Sequence, residues 1–243
     1  MHEKNKNTTT SRPDGRQWDE LRPITAQVGL LHNAEGSALF KMGNTTAIAG
    51  VYGPRQVFPK HEELKDTMLL RTKYTMAPFS TSTRNRPGTS RRSTEISMVI
   101  QQALMPVIFL QEFPKTVVDL HIEVLQADAS TRCAALNAAV LALADAGVPM
   151  RDLVAACSAG KCNGNMILDV AGKEDTEGDL DLPIAYYPKK KQVTLLQMDG
   201  ITDADELKQI IKLAIQGCEQ VYQAQQEALR SKYRTEETTE EEL

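Results

Sequence analysis

Long apolar runs are missing from this chain. None in its 243 residues is long enough to cross a bilayer. The opening stretch MHEKNKNTTTSR has no apolar segment of the kind a secretory signal needs. A protein that neither spans a membrane nor is exported is expected. Cysteine is scarce: Cys133, Cys157, Cys162 and Cys218. Cys157 and Cys162 lie close together, but no second pair and no nearby histidine completes a zinc site. Buried free thiols in a reducing cytoplasm are the expectation. No P-loop, Rossmann fingerprint or zinc motif occurs. Net charge is also small, −4, and its distribution matters more. The stretch from Thr235 to Leu243 carries Glu236, Glu237, Glu240, Glu241 and Glu242. Without them the body is close to neutral, so a local basic patch is compatible with the balance. Segments 1–11 and 234–243 bury too little apolar surface to order themselves and are expected to be disordered.

What is present is the composition of a soluble globular protein, 41% hydrophobic and 25% charged. The length suits one α/β domain or two related halves sharing a core. Alternation around Ala26–Leu31, Ser37–Met42 and Thr46–Tyr52 predicts three antiparallel strands, with turns at Asn33–Gly36 and Gly43-Asn44. Met68–Phe79 reads as a fourth. Ile96, Val99, Ile100 and Leu104 have helical spacing, with Ser93 or Thr94 as the expected cap and Pro106 near the end. The β-branched run TVVDLHIEVLQAD is another strand. An alanine-rich helix follows and stops at Gly147. Then come a hairpin turning at Asn163-Gly164 and two strands, DLDLPIAYYP and QVTLLQMDG. A long amphipathic helix closes the series, with Leu207, Ile210, Ile211, Ala214, Cys218, Val221, Tyr222 and Leu229 on one side. Two βα halves, 12–152 and 153–233, are the natural α+β architecture.

Three clusters could carry chemistry. Ser130, Thr131 and Arg132 open the alanine-rich helix. Free N–H groups, two hydroxyls and a guanidinium there suit a phosphate, although an ordinary N-cap would look the same. In GKEDTEGDLDLP, Glu174, Asp175, Glu177, Asp179 and Asp181 crowd together. Asp179 and Asp181 are expected to share one face of a strand. Such carboxylates suit Mg²⁺ or a general acid, or simply a solvated turn. The loop 80–92 carries Arg84, Arg86, Arg91 and Arg92, which suits phosphodiester binding or mere solubility. Lys60 and His61 add a smaller basic element.

The chain resembles the RNase PH family from about Arg12 to Tyr233. The stretches that carry the likeness are RPDGR with DELRPI, GSALFKMGNTTAIAGVYGP, APFS followed by SRRSTEIS, FPKTVVDLHIEVLQADASTR, ALADAGVPMRDLV and DLDLPIA, in family order. The resemblance is nearest to the exosome branch. It implies the RNase PH-type fold, related to domain 2 of ribosomal protein S5. It also implies a 3′→5′ exoribonuclease working by phosphorolysis, in which inorganic phosphate releases nucleoside diphosphates and the reverse reaction tails RNA. The family roles fall on Thr131 and Arg132, with Ser130 beside them, for phosphate. Arg91 and Arg92 take the RNA 3′ end, Lys60 the RNA channel, and Asp175 and Asp181 catalysis or Mg²⁺. The implied partners are single-stranded RNA, a related inactive RNase PH-like subunit in a ring of three plus three, and S1/KH-type cap proteins. A non-catalytic ring subunit and a homohexameric tRNA-trimming enzyme are the rivals. One position departs from the pattern: Ser130 stands where that branch usually has Gly.

Overall fold

The structure is a computed structural model and describes residues 12–240. The expected disordered segment 1–11 lies outside the described residues. Strands β1 (Ile24–Val28), β2 (Gly36–Met42) and β3 (Thr45–Gln56) form an antiparallel meander. Thr45 pairs with Met42 across the two-residue turn Gly43-Asn44. Strand β4 (Leu69–Met76) does not continue that meander. Strand β5 (Thr116–Gln126) lies between it and β3, antiparallel to β3 and parallel to β4. A parallel pair needs a crossover, and α1 (Arg91–Leu104) supplies it, packing on β4.

The cap of α1 corrects the sequence expectation. Ser90, not Ser93 or Thr94, is the N-cap: its hydroxyl accepts from the Ser93 N–H at 3.0 Å. The Ser93 hydroxyl accepts from the Ser90 N–H at 2.6 Å. Ser93 is the far half of a reciprocal capping box, so the helix starts a turn earlier. Pro106 falls in a 3₁₀ turn directly after the helix.

Helix α2 (Thr131–Asp145) is the centre of the molecule. Only Arg132, Ala144 and Asp145 escape full burial. It packs on β2 and β3 and, through its other side, on β6 (Ala155–Cys162) of a second sheet. A helix apolar all round must be covered all round; its many alanines allow the close approach. At its C-terminal end the approach is tightest at Gly36, where a Cβ would sit 2.2 Å from the backbone N of Ala146. Gly147 then takes φ +71° and ends the helix.

The second sheet runs β10 (Asp199–Gly200), β8 (Leu180–Tyr187), β6, β7 (Asn165–Leu168), with β9 (Gln192–Leu196) also on β8. Asn163 and Gly164 both have positive φ, as a two-residue hairpin requires. The stretch QVTLLQMDG is broken into β9 and β10. Pro183 explains the break: its carbonyl faces that edge and accepts from the Gln197 N–H at 3.1 Å, but it has no N–H to return. A short helix α3 (Glu174–Glu177) precedes β8. Helix α4 (Ala204–Glu240) packs on β6, β8 and β1. Ile210, Ala214, Cys218 and Val221 are fully buried, with Leu207, Ile211, Tyr222 and Leu229 packed beside them. The helix continues to Glu240, past the boundary at 233 drawn from composition. Glutamate is a good helix former, and extending a docked helix needs no new nucleus. Residues 241–243 lie outside the described residues.

Two buried polar links join the layers. Asn137 of α2 exchanges hydrogen bonds of 2.8 Å with the backbone of Ala156, and Gln225 of α4 donates to its Oδ1 at 3.1 Å. Among the cysteines, Cys133, Cys157 and Cys218 are buried and all four are free. Burial pushes the Cys133, Cys157 and Cys218 thiols up, the state of inert core residues.

Candidate active site

A cleft of about 660 Å³ opens where the two sheets meet the start of α2. It brings together Ser130, Thr131, Arg132, Arg92, Asp175 and Asp181. Each reaches it for a local reason.

The loop before α2 is held from several sides. Arg22 donates to the Asp128 carbonyl at 2.7 Å, and the Thr45 hydroxyl donates to the Ala129 carbonyl at 2.7 Å. Ala129 and Ser130 then adopt φ of +61° and +50°, two consecutive left-handed residues without glycine. No side chain caps the helix. The Ser130 hydroxyl instead donates to the Val170 carbonyl at 2.7 Å and lies 2.8 Å from the Ser158 hydroxyl. Ser130 therefore offers the cleft its backbone, while the uncapped first turn of α2 lines the wall with its positive dipole end.

Arg132 Nη2 donates to Glu95 Oε2 at 3.0 Å, and Gln197 Nε2 donates to Glu95 Oε1 at 2.9 Å. Arg132 Nε is buried with no hydrogen-bond partner among the described residues. The guanidinium is thus oriented from α1 with donor capacity left over.

The acidic cluster divides sharply. Glu174 is buried and grips Arg12 with Nε–Oε1 at 2.8 Å and Nη2–Oε2 at 2.6 Å. That bidentate pair anchors the turn that presents Asp175 to the cleft. A second one, Arg22 with Asp169 at 2.6 and 2.8 Å, ties the same N-terminal segment to the second sheet. Asp181 lines the cleft from β8, with Oδ1 buried and unpartnered among the described residues. Burial raises its carboxyl to about 7, and the neighbouring Asp175 and Asp199 charges push the same way against Arg132. Asp179 does not join it. It is exposed and precedes the strand, so the alternation expected for Asp179 and Asp181 does not begin until Leu180.

The remaining sites of the arginine loop spread out. Arg92 lines the cleft; Arg91 lines a separate depression with Thr94 and Met98 on the outer side of α1. Adjacent helix residues point about 100° apart, so the two side chains leave α1 in different directions. Lys60 sits in the 3₁₀ turn Lys60–Glu62 and does not line the cleft. Sequence reading missed Glu95, Ser158, Gln197 and Asp199. Only Asp199 had a visible signal, as the one acid in the stretch QVTLLQMDG.

One cleft is thus lined by an uncapped helix start, two guanidiniums and two carboxylates. The chain matches one family over both halves. The profile of the 3′ exoribonuclease family, domain 1, covers 20–149, and that of domain 2 covers 152–217. The chain belongs to the RNase PH family of 3′ exoribonucleases. Among RNase PH-family relatives, it is 55% identical to exosome complex component Rrp41 of Pyrococcus abyssi over 91% of this chain and 89% of that one. It is 51% identical to Rrp41 of Methanopyrus kandleri over 91% and 93%. The crystal structure of rice Rrp46 superposes with a TM-score of 0.81 at 23% identity, covering 90% of this chain and all of that one. That likeness gives the RNase PH-family fold of mixed sheets with packed helices.

Mg²⁺ fits the donor set in a limited way. No group of three or more His, Cys, Asp or Glu suited to a metal is found among the described residues. Two carboxylates, one with an orphaned oxygen, are nevertheless what Mg²⁺ takes when waters and substrate phosphate complete its shell. No described helix is long and apolar enough to cross a membrane.

Proposed function

We propose that the chain is the catalytic subunit of an exosome-type ring that degrades single-stranded RNA from its 3′ end by phosphorolysis. The carrying observation is the cleft itself, in which Thr131, Arg132, Arg92, Asp175 and Asp181 converge from both halves. Inorganic phosphate sits at the uncapped start of α2, held by backbone N–H groups, Thr131 and Arg132. Arg92, with Arg91 beyond it, holds the RNA 3′ end, and Lys60 lies further along the RNA path. A phosphate oxygen attacks the terminal phosphorus, the bond to the penultimate 3′ oxygen breaks, and a nucleoside diphosphate leaves. The departing 3′ oxygen takes a proton. In one arrangement Asp181, whose carboxyl burial raises to about 7, gives it. The reverse reaction lengthens RNA. In the alternative arrangement Asp181 is ionised and would join Asp175 in holding Mg²⁺, which would offset charge on the transferred phosphoryl group; the acid and ligand roles of Asp181 exclude each other in one step.

The working assembly is a ring alternating this chain with a related inactive RNase PH-like subunit, three of each, under S1/KH-type caps in the cytoplasm. Phe58, Phe79 and Ile201 expose 83, 74 and 90% of their surface, apolar area that ring neighbours would cover. Incubating the assembled complex with RNA, with and without phosphate, tests the reading. Nucleoside diphosphates appearing only with phosphate are expected; monophosphates alone would sink it. A stable homohexamer active without any partner would instead assign the tRNA-trimming role. Unchanged phosphorolysis in Asp181→Asn would assign a structural one.

A further inference from the structure

We propose that Ser158 is a positioning residue for the phosphate seat, its hydroxyl clasping Ser130 in the left-handed conformation that aims the first turn of α2 into the cleft. The inference rests on the phosphate reading of that cleft.

Two features at the start of α2 need a cause. An L-residue in the left-handed region is disfavoured by its Cβ, yet Ala129 and Ser130 occupy it in succession. A serine before a helix ordinarily accepts a hydrogen bond from the first turn, yet Ser130 does not. One arrangement accounts for both. The Ser130 hydroxyl donates to the Val170 carbonyl at 2.7 Å, which fixes where its proton points. The 2.8 Å contact with Ser158 must then run from the Ser158 hydroxyl to the Ser130 oxygen. Ser158 in turn accepts from the Val170 N–H at 3.1 Å. The three bonds close a ring between α2's start and two points of the second half, β6 and the segment after β7. Ser158 is 1% exposed, so water does not compete for its bonds. The Ser130 side chain is pulled away from the helix N–H groups, which leaves those groups unoccupied on the cleft wall.

Glycine at position 130 would adopt the same φ without a Cβ penalty. It has no hydroxyl to clasp. Ser158 should therefore matter only while residue 130 is serine, and a double-mutant cycle isolates that dependence.

The test compares wild type, Ser158→Ala, Ser130→Gly and the double variant in the assembled complex. Ser158→Ala is expected to raise KM for phosphate roughly three- to tenfold, the scale of one net hydrogen bond. KM for RNA and kcat should stay within about twofold, because the loss falls on binding one substrate. Adding Ser158→Ala to Ser130→Gly should change KM for phosphate by less than about twofold. An unchanged KM in Ser158→Ala, or an equal rise in both backgrounds, overturns the proposal. Thermal stability does not decide, since Ser158→Ala strands the buried Val170 N–H in either background. Amide hydrogen exchange across Thr131–Ala134 is measured on the same proteins. Ser158→Ala should speed it beside wild type but not beside Ser130→Gly. If the wild-type complex shows no phosphate-dependent cleavage, the phosphorolytic reading falls while exchange still judges the clasp.

Discussion

Helices α1 and α2 both begin with a serine followed closely by arginine, and they begin in opposite ways. At α1, Ser90 and Ser93 exchange side-chain bonds with each other's N–H groups. At α4, Asp203 accepts from the N–H groups of Asp205 and Glu206 at 2.9 and 2.8 Å. Both starts consume their own free donors and are built to hold a helix in place. At α2 the serine turns its hydroxyl to Val170, and no side chain takes the donors. A helix start left uncapped beside an orphaned guanidinium nitrogen keeps free the donors that the proposed phosphate would take. The lesson is that a serine-arginine pair at a helix start says little until the destination of the serine hydroxyl is known.

The largest expected effect breaks the α2 side of that comparison. Arg132→Ala should lower phosphorolysis by about 10²–10³-fold, the scale for removing one donor to developing charge. Stability should barely move, because the ion pair to Glu95 is partly exposed and such pairs contribute about 0–1 kcal/mol. A large fall in Tm with activity retained would make Arg132 structural.

Asp181→Asn tests the carboxylate facing that start. Folding raises this carboxyl from its ordinary value of 3.8 to about 7. Between those values the native chain holds a proton that the unfolded chain releases, so stability falls as pH rises through the window and the loss is complete above about 7. Asparagine removes it. The variant should match wild type in stability near pH 4, exceed it increasingly up to about pH 7 and hold that margin, on the order of a few kcal/mol, above it, while losing activity. A Tm difference that stays flat with pH would contradict the burial of a titrating acid there.

The arginine pair sharpens the α1 side. Arg92 lines the cleft and Arg91 does not. Arg92→Ala should raise KM for RNA about tenfold or more, as loss of a charged hydrogen bond does, and Arg91→Ala distinctly less. Equal effects in the assembled complex would mean that a neighbouring subunit carries the RNA past Arg91.

Much of this was legible in the residues. Periodicity gave the meander, the Asn163-Gly164 hairpin and the apolar face of α4, since each depends on neighbours in sequence. The cluster Ser130, Thr131, Arg132 was visible because helix starts have local chemistry. What stayed hidden depends on contacts between distant segments. Glu174 and Asp175 are adjacent acids with opposite fates, and the bidentate grip of Arg12, 162 residues from Glu174, sets Glu174 apart. Glu95 and Gln197 looked like ordinary polar residues until α1 and the break after β9 brought them to Arg132. Ser158 sat unmarked in a strand. The break itself follows from Pro183 on the neighbouring strand, which no window on QVTLLQMDG contains.

The smallest expected effect is the cleanest contrast. Ser90→Ala deletes a true cap and frees the N–H of Ser93, which has no other side-chain acceptor in the first turn of α1. The cost should be about 1 kcal/mol, or a Tm fall of roughly 2–4 °C for a chain of this size. KM for phosphate should not change, because the donors of α1 are spent on the helix rather than on a ligand. Ser130→Ala removes a hydroxyl one helix later that caps nothing: Tm should fall for a different reason, because the buried Val170 carbonyl and Ser158 hydroxyl lose their partner, and here KM for phosphate should rise. If both substitutions moved Tm and left KM alone, the two helix starts would be of one kind, and the uncapped turn of α2 would have no claim on phosphate.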